Sequence, residues 1–252
     1  MTVAPTWNLA LALILLVGLT VVVSALGELR IGRQTVWAAV RAVLQLVAVS
    51  AIVVAAVQHL LLAWAFILLV FVIGVLTTSR RTGVLDCWPW VALAMAAGVS
   101  PVLLIVFGTG TAPLTGIALI PIAGIVLGNV MTAHTLVARR SFATLKAGAG
   151  AYEAALALGL SRPQAIRLMD PDSAREATIP ANDQTRTVGL VTLPGAYIGV
   201  LLGGGSPAQA AAAQVLVLVG VMAGQAITVA VAQLLIADAR ILPGWLRPLM
   251  HE

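Results

Sequence analysis

The chain has 252 residues, of which 61% are hydrophobic and only 9% charged, with a mean hydropathy of +1.06. That much apolar surface excludes a water-soluble globular protein of this size and puts the chain in a lipid bilayer. The net charge of +5 sits in loops beside apolar runs, where membrane orientation accounts for it and no nucleic-acid partner is needed.

A span needs about twenty apolar residues to cross the roughly 30 Å hydrocarbon core. On that criterion the fold class is an all-α polytopic transmembrane bundle of about seven spans, near 7–26, 36–57, 60–78, 91–107, 114–137, 188–203 and 209–236. The whole of 1–252 is expected to form one transmembrane domain, with a cytoplasmic segment at 138–187. No Lys or Arg precedes the first run, so it reads as a retained helix rather than a cleaved signal. In the second, Arg41 and Gln45 are four residues apart on one helix face. Arg41 either snorkels to the nearby interface or lines a polar path with Gln45. The loop 79–90 holds Cys87, the single cysteine, so neither an intrachain disulfide nor a cysteine zinc cluster is available. Pro101 should bend or break the fourth span.

The fifth span contains Gly124 and Gly128 with Asn129 beside them, a flat face for close helix packing with a side chain able to hydrogen-bond across it. Met131 and His134 share a face near its inner end, as weak candidates for metal ligation against plain packing. The sixth span repeats the device with Gly195, Gly199 and Gly203, and its Pro194-Gly195 pair should interrupt the helix.

Thirteen of the fourteen basic residues lie in the loops 27–35, 79–90 and 138–187 or in the tail, and the alternate connections carry none. The positive-inside rule therefore predicts an external N-terminus and a cytoplasmic C-terminus.

Between the fifth and sixth spans stands a polar island, Ala151–Pro180. Strong helix formers over 151–158 end at Gly159, a C-terminal stop. Ser161 then caps a second helix that tolerates Pro163 in its first turn. Glu153-Ala154-Ala155, three residues and Gly159 resemble the EAA loop through which permeases of ABC transporters dock on their ATPase. Small residues allow close approach, Glu153 supplies an anion, and Gly159 permits a sharp turn. On that resemblance Glu153, Ala154, Ala155, Gly159 and Pro163 are the coupling residues. The chain departs from importers about ten residues on, where they carry a Leu-Pro and it has Met169-Asp170-Pro171.

Several chemistries are unsupported. There is no G-x-x-x-x-G-K-[ST] loop, so ATP hydrolysis of that type lies outside the chain, and no H-E-x-x-H. Carboxylates fall only near span ends, which argues against a proton-relay transporter or an intramembrane carboxylate protease.

Three segments together resemble the FetB family of iron-export ABC permeases, whose plant relatives are linked to aluminium tolerance. They are Ile120-Pro121-Ile122-Ala123-Gly124 through Asn129, then Leu156–Ala165, and Asp172-Ser173-Ala174-Arg175 through Asp183 to Thr187-Val188-Gly189-Leu190-Val191-Thr192-Leu193-Pro194-Gly195. Arg41 and Gln45 also match the family's Arg-x3-Gln. The resemblance implies a cell-membrane permease, itself not an enzyme, that exports iron or another metal species. It implies a separate ABC ATPase subunit as partner and a permease homodimer. ATP and magnesium would be used by that partner, with no cofactor bound by this chain. Arg41, Gln45, Gly124, Gly128, Asn129, Asp183, Pro194 and Gly195 become candidates for the substrate path or for helix packing. A membrane enzyme or scaffold, or an ABC permease for a non-metal substrate such as a nucleotide sugar, is the alternative.

Overall fold

The computed structural model describes residues 6–192 and 194–250. Packing divides the chain after Gln58 into two units. The first is a helical hairpin of α1 (Trp7–Leu26) and α2 (Gly32–Gln58). Its turn is tied by the Ile31 amide, which donates to the buried Ser24 hydroxyl at 3.0 Å.

The second unit holds α3 (Leu60–Thr82), α4 (Trp88–Gly108), α5 (Gly116–Ala147), α6 (Ala149–Ala157), α7 (Arg162–Met169), α8 (Ser173–Thr187), α9 (Gly195–Leu202) and α10 (Pro207–Ala237). Among the described residues no strand forms, and one isolated bridge joins Val188 and Thr192. Among the described residues six helices are long and apolar enough to cross a membrane: α1, α2, α3, α4 with the turn before it, α5 and α10. Helix α4 runs through Pro101 without a break, as does α5 through Pro121.

The core is the packing of α4 and α5 on α10 and of α3 on α5. A Cβ on Gly98 would lie 2.4 Å from the Gly224 carbonyl and 2.0 Å from Thr228 Oγ1, and one on Gly220 would lie 3.0 Å from Val102. Rising positions on α4 thus meet falling positions on α10, so the two are antiparallel. Gly224 also meets Val126 and Val130, and Gln225 Nε2 donates to the Asn129 carbonyl, which sets the level at which α5 packs on α10. Gly74 meets Met131, and Arg139 donates to the Arg81 carbonyl at 2.9 Å, which makes α3 parallel to α5.

One end of this unit is basic. Lys146 lies over the Trp245 ring, Arg240 over Trp90, and Arg247 donates to Cys87 Sγ at 3.1 Å. The tail therefore closes the same end as the α3–α4 turn and the end of α5.

Two sequence expectations change here. Residues 188–203 are not a continuous span: the stretch is a bridged turn followed by the eight-residue α9. Nor is 138–187 a loop. Helix α5 continues to Ala147, and α8 packs on α5 and α10. Ser173, Ala177 and Ala181, at four-residue spacing, form its buried stripe. These small residues add little to hydropathy, so the polar remainder of α8 hides a helix that belongs to the bundle.

Helices α8 and α9 together make the missing crossing. The Asp170 carbonyl just before α8 accepts from Gln233 near the end of α10, whereas α9 turns through Gly203–Ser206 directly into the start of α10. At 1.5 Å per residue, α8 rises about 22 Å and α9 about 12 Å, enough jointly for a hydrocarbon core of roughly 30 Å.

Candidate functional site: a coupling elbow and a broken helix

The elbow follows from local chemistry. Helix α6 is mostly alanine, the best helix former, with no β-branched residue. It ends in a Schellman arrangement: the Gly159 amide donates to the Leu156 carbonyl at 2.9 Å and the Leu160 amide to Ala155 at 3.1 Å. Gly159 has φ +87°, the left-handed region that glycine enters without a steric cost. Ser161 opens α7, its amide donating to Gln164 Oε1 at 2.9 Å, with Pro163 in the first turn.

One side of the elbow is anchored and the other is free. Tyr152, Ala155, Ala165 and Ile166 join the core. Glu153, Ala154 and Gly159 are exposed and Pro163 is half-buried, so four of the five expected coupling residues are accessible. Ala155, only 4% exposed, packs inward instead. Leu158 at the tip, 81% exposed, and Leu168, 59% exposed, are the apolar groups that motif reading missed. Nothing in the sequence alone separates them from Leu156 and Ile166, which pack on the core.

The second part of the site is α8 and the break after it. Its outward face carries Arg175, Asn182, Asp183 and Arg186, with Asp183 and Arg186 3.6 Å apart. Charged side chains at bilayer depth do not face lipid; they face water or other protein surface. The break reinforces the point. The Gly189 amide donates to Thr192 and the Leu190 and Val191 amides to Thr187. The turn exposes Gly189, Leu190, Val191 and Thr192, and wherever such non-helical backbone enters a bilayer it must lie inside protein or along a water-filled passage. Pro194 stands at the start of α9, where its missing N–H and fixed φ end one helix and begin another. Leu193, part of the sequence motif, lies outside the described residues.

Other predicted residues fall into separate groups. Asn129 does bond across helices: Gln225 Nε2 from α10 donates to its backbone carbonyl at 3.2 Å and to Oδ1 at 3.5 Å. Within the second unit Gly124, Gly128, Gly195 and Gly199 stand open: a Cβ on any of them meets no heavy atom of the described residues within 4 Å. Arg41 and Gln45 lie one turn apart on α2, both exposed, in the N-terminal unit. His134 is fully buried with both ring nitrogens unpartnered, and the Met131 sulfur lies beside Gly74. Among the described residues no three His, Cys, Asp or Glu side chains gather into a metal cluster.

Comparison with known proteins agrees with this architecture. The chain is 30% identical over 205 residues to the rice (Oryza sativa subsp. japonica) "UPF0014 membrane protein STAR2", covering 80% of this chain and 72% of that one. It is 28% identical over 215 residues to the Escherichia coli (strain K12) protein named "Probable iron export permease protein FetB", covering 83% and 82%. Against the Arabidopsis thaliana "Protein ALUMINUM SENSITIVE 3" the identity is 28% over 210 residues, covering 82% and 77%. No solved structure matches. The family described as "Uncharacterised protein family (UPF0014)" matches residues 6–240, and this multi-pass membrane protein belongs to it.

Proposed function

We propose that the chain is the membrane subunit of an ABC-type transporter, exporting iron or another metal species and driven by a separate ATPase subunit. What supports this most is the elbow: two short capped helices, anchored by Tyr152, Ala155, Ala165 and Ile166, that leave Glu153, Ala154 and Leu158 free on the basic end of the bundle. The chain has no phosphate-binding loop of its own, so in this reading ATP and its magnesium are used by the partner and this subunit acts as the permease. Closure of the ATPase would push the elbow, and through it α8, between two packings.

Two copies of the chain make up the membrane part. A second copy would cover the open glycine face of α5 and enclose the polar face of α8, leaving a passage past Asn129, Asp183 and the break before Gly195. With Arg186 beside Asp183, the passage suits a chelated or otherwise neutralised metal species better than a bare cation. The relative named as an iron export permease supports the substrate class. In vesicles holding the permease and its ATPase, complexed iron should move only when ATP is hydrolysed. Turnover of a lipid or sugar by the isolated chain would replace this reading with an enzymatic one.

The basic end is the cytoplasmic end, by the positive-inside rule. Cys87 is a poor reporter of this, being only 7% exposed and in contact with Arg247. The exposed neighbour serves instead. In a Cys87→Ser background, Asp86→Cys should resist an impermeant thiol reagent in intact cells and react in inverted vesicles. Labelling from outside overturns the orientation.

A further inference from the structure

The Met169-Asp170-Pro171 sequence, where importers have Leu-Pro, is the joint between the elbow and the broken helix. Asp170 follows α7, and Asp172 stands at the start of α8. Asp170 is 3% exposed, its carbonyl is held by Gln233 at 3.2 Å, and its Oδ2 has no partner. A buried carboxylate oxygen without a donor is costly, and in a native fold such a group is met by water, an ion or a partner's donor.

Asp170 lines two clefts. One, of about 360 Å³, is bounded by Arg167, Pro171 and Gln233; the other, of about 370 Å³, by Arg140, Thr144, Asp172 and Glu176. Arg140 is occupied by Glu176. Among the described residues no Arg or Lys comes within ion-pair distance of Asp170 or Asp172. The second cleft is thus an acidic hole in an otherwise basic end of the molecule.

We propose that Asp170 receives a basic side chain, lysine or arginine, which the ATPase subunit inserts into the cleft between α5, α7 and α8. A long stem ending in a charge fits a cleft of this size with a buried carboxylate at its wall. A metal ion fits less well, because no three-ligand cluster forms there. The position explains why the contact would matter: a cation gripping Asp170 holds the end of α7 and the start of α8 at once. The Arg140–Glu176 ion pair carries the same pull to α5. The inference rests on the ATPase-partner reading above.

The test measures affinity between the full-length permease in detergent and its ATPase, at low and high salt. Asp170→Asn, which keeps shape and removes charge, should weaken binding about tenfold or more and flatten its salt dependence. Asp170→Glu, which keeps the charge, should recover most of the loss, and a recovery separates charge recognition from misfolding. Asp170→Asn binding as tightly as the unmodified chain overturns the assignment alone. So does equal weakening by both variants. Saturable binding of Mn²⁺ by the permease alone, lost in Asp170→Asn while ATPase affinity is kept, overturns it in favour of a metal site. Failure of the unmodified chain to bind the ATPase overturns the transporter reading and this assignment with it.

Discussion

The α4–α10 seam and the outer faces of α5 and α9 are written in the same residues and used in opposite ways. At the seam, Gly98 admits the Gly224 carbonyl and Thr228 so closely that no side chain fits. On α5 and α9, Gly124, Gly128, Gly195 and Gly199 have the four-residue spacing of a helix-packing motif, and a Cβ on any of them meets nothing among the described residues. Small residues make close approach cheap, but their spacing does not say whose helix approaches. The seam glycines build the second unit, and the open ones take no part in its described packing.

The largest expected effect is therefore at the seam. In Gly98→Ala the new methyl would meet a backbone carbonyl 2.4 Å away, which moves only if the helices part. Overpacking of this kind costs about 1–3 kcal/mol, and the rigid neighbour puts Gly98 at the top of that range. Thermal unfolding in detergent should fall by several degrees. Thr228→Ala should restore part of the loss, because it removes the 2.0 Å contact and leaves the carbonyl. An unchanged unfolding temperature for Gly98→Ala would break the comparison at its firmer half.

Gly159 comes next, and it separates conformational strain from crowding. A Cβ there meets nothing within 4 Å, but φ is +87°. Gly159→Val should cost about 1–3 kcal/mol through backbone strain alone, confined to the elbow. Insertion and the unfolding of the bundle should be little changed, while ATPase stimulation by transport substrate falls. Gly159→Asn, better tolerated in the left-handed region, should retain more coupling than valine. Equal, full coupling in both would mean that the elbow does not dock.

How much of this was legible in the sequence depends on what hydropathy can see. Helix α1 and the start of α3 fall where the apolar runs place them, because lipid-facing helices are apolar all round. The elbow was legible as well, since Gly159, Ser161 and Pro163 are local signals that need no tertiary context. Helix α8 was not. Its buried face is Ser173, Ala177 and Ala181 and its outer face is charged, so it reads as a cytoplasmic connector although it shares the crossing with α9. At Pro101 the helix does not break: neighbouring helices in a membrane bundle tolerate a proline that would end a helix in water. Leu158 and Asp170 were written plainly in the sequence, but only the fold shows that one is exposed and the other buried.

The smallest effect on the isolated subunit belongs to the open glycines, and the comparison is sharpest there. Gly124→Ala and Gly128→Ala place a methyl in open space on a regular helix. The unfolding temperature of the monomeric chain should change little, with a free-energy change within about 1 kcal/mol and its sign toward stability, since alanine is the better helix former. A larger probe, Gly128→Leu, should still leave the monomer folded. If a second copy lies on this face, that same leucine holds the two α5 helices apart. It should shift the permease from dimer toward monomer in detergent and lower ATP-driven transport, while the ATPase still binds each subunit. The paired readout separates the two kinds of glycine: at Gly98 stability falls first and assembly follows, whereas at Gly128 assembly falls and stability stays. A Gly128→Leu permease that remains dimeric and fully active would assign the α5 face to lipid.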